Sequence, residues 1–543
     1  MLSPRPTLPR FDQIALSLAV LLLDAGFLSS RYNFDGTVFA LRVERALVLG
    51  DPNSLGELLH PRHLLYEPLG YLFCRAAGAL GLHFRTIFLL QFLNVLFGVL
   101  SLALFHRIAF RLSSDRWLAA AATLMLAFSF GFWIFSIEAE VYVSGVCFLL
   151  LAFRSLLHRA DSPSRPSSWI TDALVLAAFG ALALANHLTF GLFLIPLGLE
   201  SLLYSRRPRK SWRSGLAPAL LFSATALGLA GIAYLLAARM HPAASTLGFR
   251  QWVIGPANPE TPYGYRQSYW ASGLHSFPDF GRGMLHLFCA EPYPDSGAGV
   301  PVAIAAAWFL AWLLILGLYF RNARALWKED SRTQVLVLGW LIPSLVWNWS
   351  WQPINFELKV AMLAPLLLWA GITLSREKIR ASRAWPGWLL AAMALLLLGY
   401  NFFAAILPGS RPENNRDLQR ARSIGEATEP NAAVFIAGSG PGYNLGKIYL
   451  PYFSRREAKV ADWLTGPPGS PFPARLQAAL TQLRQQRRPA YVLSELLEPT
   501  PALQVLALHH RVSPESIRRV FQGHRPRLKR TLDPELSLYR LEE

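Results

Sequence analysis

Asp35, Glu138 and Glu140 are carboxylates placed beside long apolar runs, and Arg62, His63, His187 and Lys359 are basic or imidazole side chains placed the same way. An acidic group at the edge of an apolar span is costly unless it has a partner or faces water. A carboxylate so placed can take a proton from an attacking hydroxyl or hold a divalent cation. Cationic side chains can stabilise a phosphate. Gathered at headgroup depth, the two sets suit an amphipathic substrate with a phosphate, its tail in the bilayer and its head in a watery pocket. Plainer readings stand beside this one. Asp35 can be a helix-end or loop residue, and Glu138 and Glu140 can be solvated in a short turn. His187 can be a hydrogen-bonded packing residue, Lys359 can snorkel, and Arg62 can anchor to lipid phosphates. His60 and His63 beside a proline are not a metal signature, so the metal is unknown. A divalent cation held by Glu138 and Glu140 is the cofactor that these residues leave open. The sequence has no P-loop, no G-x-G-x-x-G opening a helix and no G-x-S-x-G, which argues against an ATP-driven pump.

The elements that must position these groups are membrane spans. Of the 543 residues, 53% are hydrophobic and only 16% charged, with a mean hydropathy of +0.30. Soluble chains carry about 25% charged residues, so an ordinary cytosolic enzyme, a disordered chain and a fibrous repeat are all disfavoured. Three cysteines make no disulfide framework. The net charge of +18 invites a nucleic-acid reading until the charges are placed. Six short segments between apolar runs, 1–10, 106–116, 154–169, 205–213, 321–332 and 376–383, hold 21 Lys and Arg against 5 Asp and Glu. That is the bias of cytoplasmic loops, and nucleic acid is not an expected partner.

A bilayer core needs about 20 apolar residues per helix. Eleven spans satisfy this: 11–30, 86–105, 117–136, 139–157, 170–186, 188–204, 216–238, 300–320, 333–350, 360–375 and 387–407. With the N-terminus inside, every basic segment falls inside and the C-terminal portion outside. The first span lacks a clear cleavage site and reads as uncleaved. Leu64–Leu82 carries Glu67, Pro68 and Arg75 and reads as a helix lying at the outer interface. The pair 170–186 and 188–204 reads as a hairpin with Asn186-His187 at its tip. The expected fold class is an α-helical polytopic membrane protein with a small C-terminal α/β domain outside the membrane. Residues 1–408 form the transmembrane domain, with outer loops 31–85 and 239–299, and 409–543 the soluble domain. In that domain Ala432–Ala437, Ala490–Ser494 and Leu536–Leu541 read as strands and Arg475–Gln486 as an amphipathic helix. Gly438–Gly442 reads as a structural turn rather than a phosphate cradle.

The order of motifs resembles the GT-C superfamily of membrane glycosyltransferases, and within it a bacterial polytopic family related to eukaryotic membrane O-mannosyltransferases. Four motifs over about the first 200 residues carry the resemblance: Asp35-Gly36-Thr37, His60-Pro61-Arg62-His63 before an apolar interfacial helix, Phe132-Trp133 with Ala139-Glu140-Val141-Tyr142, and Asn186-His187-Leu188-Thr189. Two departures bear on the donor pocket. Arg62 stands where the family often has a second proline, and Phe39 and Ala40 follow the first acidic motif, with Glu44 further on.

The resemblance implies a hexosyl or mannosyl transferase-like enzyme with an inverting mechanism. Its donor would be a polyprenyl-phosphate sugar and its acceptor a protein or envelope glycan, met on the outer face beside membrane lipids. It implies Asp35 as catalytic base, with Glu138 and Glu140 in the catalytic set and Arg62, His63, His187 and Lys359 binding substrate. A bacterial inner membrane, with the C-terminal domain periplasmic, is the expected location. The alternative is a transporter or flippase of a lipid-linked glycan. That reading predicts midplane ionisable residues and repeated halves, and neither is evident. A third reading, a noncatalytic scaffold displaying the C-terminal domain, leaves the outer carboxylates unexplained.

Overall fold

The computed structural model describes residues 10–161, 169–195, 198, 213–254, 276–293, 299–381, 385–438, 444–465 and 469–542. Most of the basic segments 1–10 and 205–213, the second half of the predicted span 188–204, much of the loop 239–299 and most of the glycine-rich turn after Gly438 lie outside them. The chain divides into two compact units. One comprises residues 1–29 and 42–410, the other residues 30–41 and 411–543.

The first unit is helical. Its elements are α1 (Arg10–Gly26), the second part of α2 (Phe34–Leu49), α3 (Pro52–Glu57), α4 (Tyr66–Ala79), α5 (Thr86–Ser113), α6 (Arg116–Phe128), α7 (Phe130–Ile137), α8 (Tyr142–Asp161), α9 (Trp169–Asn186), α10 (Arg213–Met240), α11 (Pro242–Leu247), α12 (Phe249–Ile254), α13 (Phe277–Phe288), α14 (Val302–Ser350), α15 (Val360–Ala381) and α16 (Trp385–Ser410). Five helices among the described residues are long and apolar enough to cross a membrane, six if the bent pair α6–α7 is one span. Tyr142–Leu157 and Ala173–Asn186 are shorter apolar helices. The protein is a multi-pass membrane protein.

Local chemistry sets the breaks. Ser114, in the left-handed conformation (φ 55°), ends α5, and the Asp115 carboxylate caps α6 by accepting from the N–H groups of Trp117 and Leu118. Sequence reading takes 117–136 as one straight span, but it is broken. Ser129 adopts an extended conformation, its hydroxyl turns back to the Met125 carbonyl at 2.6 Å, and α7 leaves α6 at 63°. The helical run Val302–Ser350 contains a non-helical residue, Asp330, whose carboxylate accepts from Thr333 N–H at 3.0 Å and so starts a new helix there. Basic segments 106–116, 321–332 and 376–383 meet in this unit. Lys378 pairs with Asp115, Arg321 with Glu377, and Arg376 with Glu329. The predicted outer loop 31–85 is mostly helical, holding α2, α3 and α4.

The second unit is a five-stranded mixed sheet of order β2-β1-β3-β5-β4, formed by β1 (Ala433–Ile436), β2 (Glu457–Val460), β3 (Ala490–Leu493), β4 (Pro526–Asp533) and β5 (Leu536–Leu541). β2, β1 and β3 are parallel, and β5 and β4 are added antiparallel. β1 is buried at all four residues, as a central parallel strand must be. One face is covered by α18 (Phe472–Gln485), α19 (Pro501–His509) and α20 (Pro514–Gln522), through Leu476, Leu480, Leu503, Ile517 and Phe521. On the other, Gly446 in the turn Leu445–Ser454 comes so close to Ile436 that an added Cβ would lie 2.9 Å from its side chain. That turn packs on α17 (Arg416–Ala427).

α17 is tied to the sheet by Arg420, whose guanidinium is almost wholly buried. It donates to Asp533 at 2.5 Å, to Asp417 at 3.3 Å and to Glu535 at 3.3 Å. Burial alone would raise the Asp533 carboxyl, but the bonds from Arg420 and from the backbone outweigh it and hold the group below its ordinary value. A depressed carboxylate stabilises the fold above its unfolded pKa of about 3.9, and that stability is lost as pH falls through the folded value. Arg420→Ala is expected to lower stability by about 2–3 kcal/mol at neutral pH. The gap to the wild type should narrow below about pH 4, as thermal melting at stepped pH would record.

Candidate functional site

Broken helices leave backbone groups that nothing within the helix can satisfy, and in a membrane each such group costs several kcal/mol. The turn Glu138–Val141, between α7 and α8, is such a place. Two buried asparagines from neighbouring helices close it. Asn94 of α5, wholly buried, donates from Nδ2 to the carbonyls of Glu138 at 2.7 Å and Glu140 at 2.5 Å, with Phe135 O a weaker third acceptor at 3.3 Å. Asn186, at the end of α9, donates to Val141 O at 2.5 Å and accepts from Ser144 Oγ at 3.0 Å.

The turn so held keeps both carboxylates inside. Glu138 and Glu140 are 6% and 4% exposed, so they are not the solvated turn residues of the plainer reading. Ser29 Oγ donates to Glu138 Oε1 at 3.0 Å, and Val141 N–H to Glu140 Oε2 at 3.3 Å. Tyr66, at the start of α4, has Glu140 and Asn94 as neighbours. Burial first and Glu140 second push its hydroxyl well above the ordinary value, so it stays protonated and able to donate. Glu67, the next residue, is fully buried and paired with Arg42 at 2.9 Å.

Lys359 belongs to the same unit. It ends a short 3-10 turn, Glu357–Lys359, is fully buried, and donates from Nζ to Asn355 O at 2.6 Å. Phe356 beside it packs on Phe130 and Phe135 of α7, each at 5.6 Å, and Phe135 packs on Tyr142 at 4.8 Å. Tyr142 Oη donates to Glu357 at 3.2 Å. The segment before Glu357 seats directly on α13, where Gly283 leaves room. A Cβ there would lie 2.6 Å from Pro353 O and 2.8 Å from Ile354 O. The turn bearing Lys359 and the turn bearing Glu138 and Glu140 are therefore one packed assembly.

The imidazoles join it through Tyr142, whose ring lies 5.6 Å from His187. His187 stacks on His63 at 5.2 Å, and His63 on His60 at 5.4 Å. His187 Nδ1 accepts from Thr189 N–H at 3.3 Å and lies 2.7 Å from its hydroxyl, capping the turn Leu188–Phe193. It is both a packing residue and a site neighbour. Phe190 of that turn fills the space over Gly145, where a Cβ would come within 1.7 Å of its ring. The segment with Arg62 and His63 is fixed by Tyr234 Oη, which donates to Pro61 O at 2.7 Å, and by Leu65 N–H, which donates to Ala185 O.

Sequence reading counts His63 among the positive charges, and this requires correction. Burial, then the charges of His187, His60 and Arg62, hold its pKa well below the ordinary value. Burial and Arg62 bring His187 to about 4, and burial with Arg42, Arg62 and His241 brings His60 to about 3. All three are neutral at pH 7 and act as hydrogen-bonding groups, not cations.

Asp35 belongs to the second unit. It stands in the first turn of α2, not in a loop. Asn33 caps that turn, accepting from Gly36 N–H at 2.7 Å, and a carboxylate in the first turn is favoured by the helix dipole. The segment is bound within its unit by Asn415 Nδ2, which donates to Ser30 O at 2.7 Å, and by Tyr449 Oη, which donates to Tyr32 O at 2.9 Å. Tyr32 packs on Phe453 at 4.7 Å, and Lys447 Nζ lies 3.6 Å over the Phe34 ring. Asn94, Tyr66 and Glu357 were not singled out from sequence. Polar residues inside or beside an otherwise apolar helix were the signal that could have found the first two.

Two solved structures share this architecture. ArnT from Cupriavidus metallidurans in the apo state aligns over 98% of this chain and 97% of its own, with a TM-score of 0.57 and 13% identity. The Archaeoglobus fulgidus oligosaccharyltransferase in the apo form aligns over 94% of this chain and 72% of its own, with a TM-score of 0.54 and 13% identity. No family model and no curated protein matches the sequence. The chain shares the fold of these two structures, as its resemblance to the GT-C superfamily implies.

The neutral imidazoles generate a pH prediction. A histidine whose folded pKa is depressed leaves stability intact above the unfolded value of about 6.5 and erodes it as pH falls toward the folded value. The melting temperature should therefore fall between about pH 6.5 and the folded values of about 4 for His187 and about 3 for His60. His60→Gln, which cannot titrate, should show a shallower fall over that range in a melting series.

Proposed function

We propose that this protein is a membrane glycosyltransferase that moves a sugar from a polyprenyl-phosphate donor to a protein or envelope-glycan acceptor. The observation that carries the reading is that a GT-C fold buries two carboxylates, a lysine and neutral imidazoles in one packed assembly at its broken helix ends. Buried ionisable groups are costly in a membrane unless they do work.

In this reading the acceptor hydroxyl loses its proton to Asp35 as it attacks the anomeric carbon, and direct attack inverts the configuration. Lys359 and Arg62 offset the charge on the departing phosphate, and His63 and His187 serve as neutral hydrogen-bonding groups. Glu138 and Glu140 supply hard oxygen donors of the kind a divalent cation takes, and such an ion would add positive charge beside the phosphate. A hexosyl or mannosyl donor fits the O-mannosyltransferase resemblance. The topology proposed is eleven spans in a bacterial inner membrane, with 1–408 as the membrane domain and 409–543 a periplasmic domain. The three ion pairs joining the basic segments support one common cytoplasmic side for them.

The test uses purified protein in detergent, a panel of short-chain polyprenyl-phosphate sugars and cell-envelope extract as acceptor, with and without a chelator. One donor should be turned over, and Asp35→Asn should lower its rate by about 10²–10⁴-fold with unchanged melting and donor binding. Lys359→Ala should weaken donor binding about 10- to 100-fold, the worth of one charge-assisted hydrogen bond. Near-normal turnover in Asp35→Asn removes that residue from the base role. Unchanged donor affinity in Lys359→Ala leaves Lys359 as a structural residue.

A further inference from the structure

The C-terminal unit gathers three side chains that neither the sequence motifs nor the proposed transfer uses. Asp462 Oδ1 lies 2.7 Å from His509 Nδ1 and 3.1 Å from His510 Nε2. One ligand-type atom from each residue falls within 4.8 Å of the other two. We propose that Asp462, His509 and His510 form a binding site for a divalent transition metal of the zinc class, with a fourth position open to solvent.

Three features of the fold support this. The first is location. Asp462 follows β2 by two residues, and its N–H donates to Ala437 O, just past the end of β1. The site thus lies at the carboxyl ends of two adjacent parallel strands, where open α/β sheets bind ligands. Gly438, at φ +98°, gives the Asp462 side chain room, since a Cβ there would lie 2.8 Å from the Asp462 Cβ. The second is orientation. His509 closes α19 and His510 follows it, so the helix end fixes both backbones. The His510 ring also lies flat on Phe472, at the start of α18, at 3.9 Å with planes 3° apart. The third is spacing. Metal–ligand bonds of about 2.0–2.2 Å at tetrahedral angles put neighbouring ligand atoms about 3.3–3.6 Å apart, so the 3.1 Å distance to His510 need open by only about 0.2–0.5 Å and the 2.7 Å distance to His509 by about 0.6–0.9 Å, a change within reach of side-chain rotation.

The donor set selects the ion. Two imidazoles and one carboxylate suit Zn²⁺, Co²⁺ or Ni²⁺, whereas Mg²⁺ and Ca²⁺ favour all-oxygen sets. Three protein ligands leave one tetrahedral position for water or an oxyanion. His509 is half-exposed, so that position has access to solvent. Without the ion, the two ring nitrogens carry hydrogens and donate to the carboxylate. With it they are bare, and each proton moves to the other ring nitrogen or to solvent.

The experiment uses the full-length protein in detergent, stripped with EDTA and dialysed, then titrated with Co²⁺ and with Zn²⁺ against a chromophoric chelator. The wild type should bind one Co²⁺ with a visible tetrahedral spectrum, which Zn²⁺ abolishes. His509→Ala and Asp462→Ala should each lose that spectrum and weaken this Zn²⁺ equivalent by at least about tenfold, the smaller loss seen even for an outer partner. Equal melting of wild type and variants in EDTA separates ligand loss from misfolding. Zn²⁺ should raise the melting temperature of the wild type and not of His509→Ala. No Co²⁺ spectrum and no Zn²⁺ shift in the wild type would overturn the proposal, as would His509→Ala and Asp462→Ala titrating like the wild type. The readout does not depend on sugar transfer, and Asp35→Asn should titrate like the wild type, so this site and the transferase reading fail separately.

Discussion

The carboxamide of Asn94 donates to the two backbone carbonyls, of Glu138 and Glu140, that a broken membrane helix exposes. Without such a donor these buried carbonyls would go unpaired, at about 1–3 kcal/mol each. Asn186 does the same for Val141 from the opposite neighbour. With the turn fixed, Phe135 and Tyr142 lie on either side of it, and through them it is packed to the Lys359 turn and the histidine stack. The geometry of the candidate site therefore rests on two buried asparagines rather than on the charged residues themselves.

The C-terminal unit has a structural meaning in this account. Its Asn415 and Tyr449 hold the backbone of residues 30–32, from which the Asp35 turn begins. Asn415 also donates to Tyr449 Oη at 2.9 Å, so the two anchors brace each other. The sheet-bearing unit is thus built around a segment from the N-terminal part of the chain, which explains why a domain drawn by sequence at residue 409 omits residues 30–41.

Much of the fold was legible because membrane helices are apolar along their whole length, and no tertiary information is needed to see them. The helix after His63 was legible as an apolar run, and α4 begins at Tyr66, but Glu67, read as a reason to keep it out of a core, is fully buried against Arg42. β1, β3 and β5 were legible as short apolar runs. β2 was not, because Glu457-Ala-Lys-Val460 carries charges at the sheet edge, nor was β4, an edge strand largely facing solvent. The break at Ser129 lacks a proline and comes from a serine in an extended conformation. The chemistry of the site was legible in part. Residue types flagged Glu138, Glu140 and Lys359, but burial decided that His63 and His187 are neutral. The cluster of Asp462 with His509 and His510 carried no sequence signal, because strand order, not spacing, brings its members together.

The most direct test of the central claim is Asn94→Leu, which keeps the volume and removes the donors. Turnover of a polyprenyl-phosphate sugar would be measured beside the melting temperature of the same preparation. The account predicts a folded protein with a lowered melting temperature and transfer reduced by at least about tenfold, the effect of misplacing catalytic groups. A variant that melts and turns over like the wild type would contradict it, because the carboxylate turn would then be held without the bond on which the site depends.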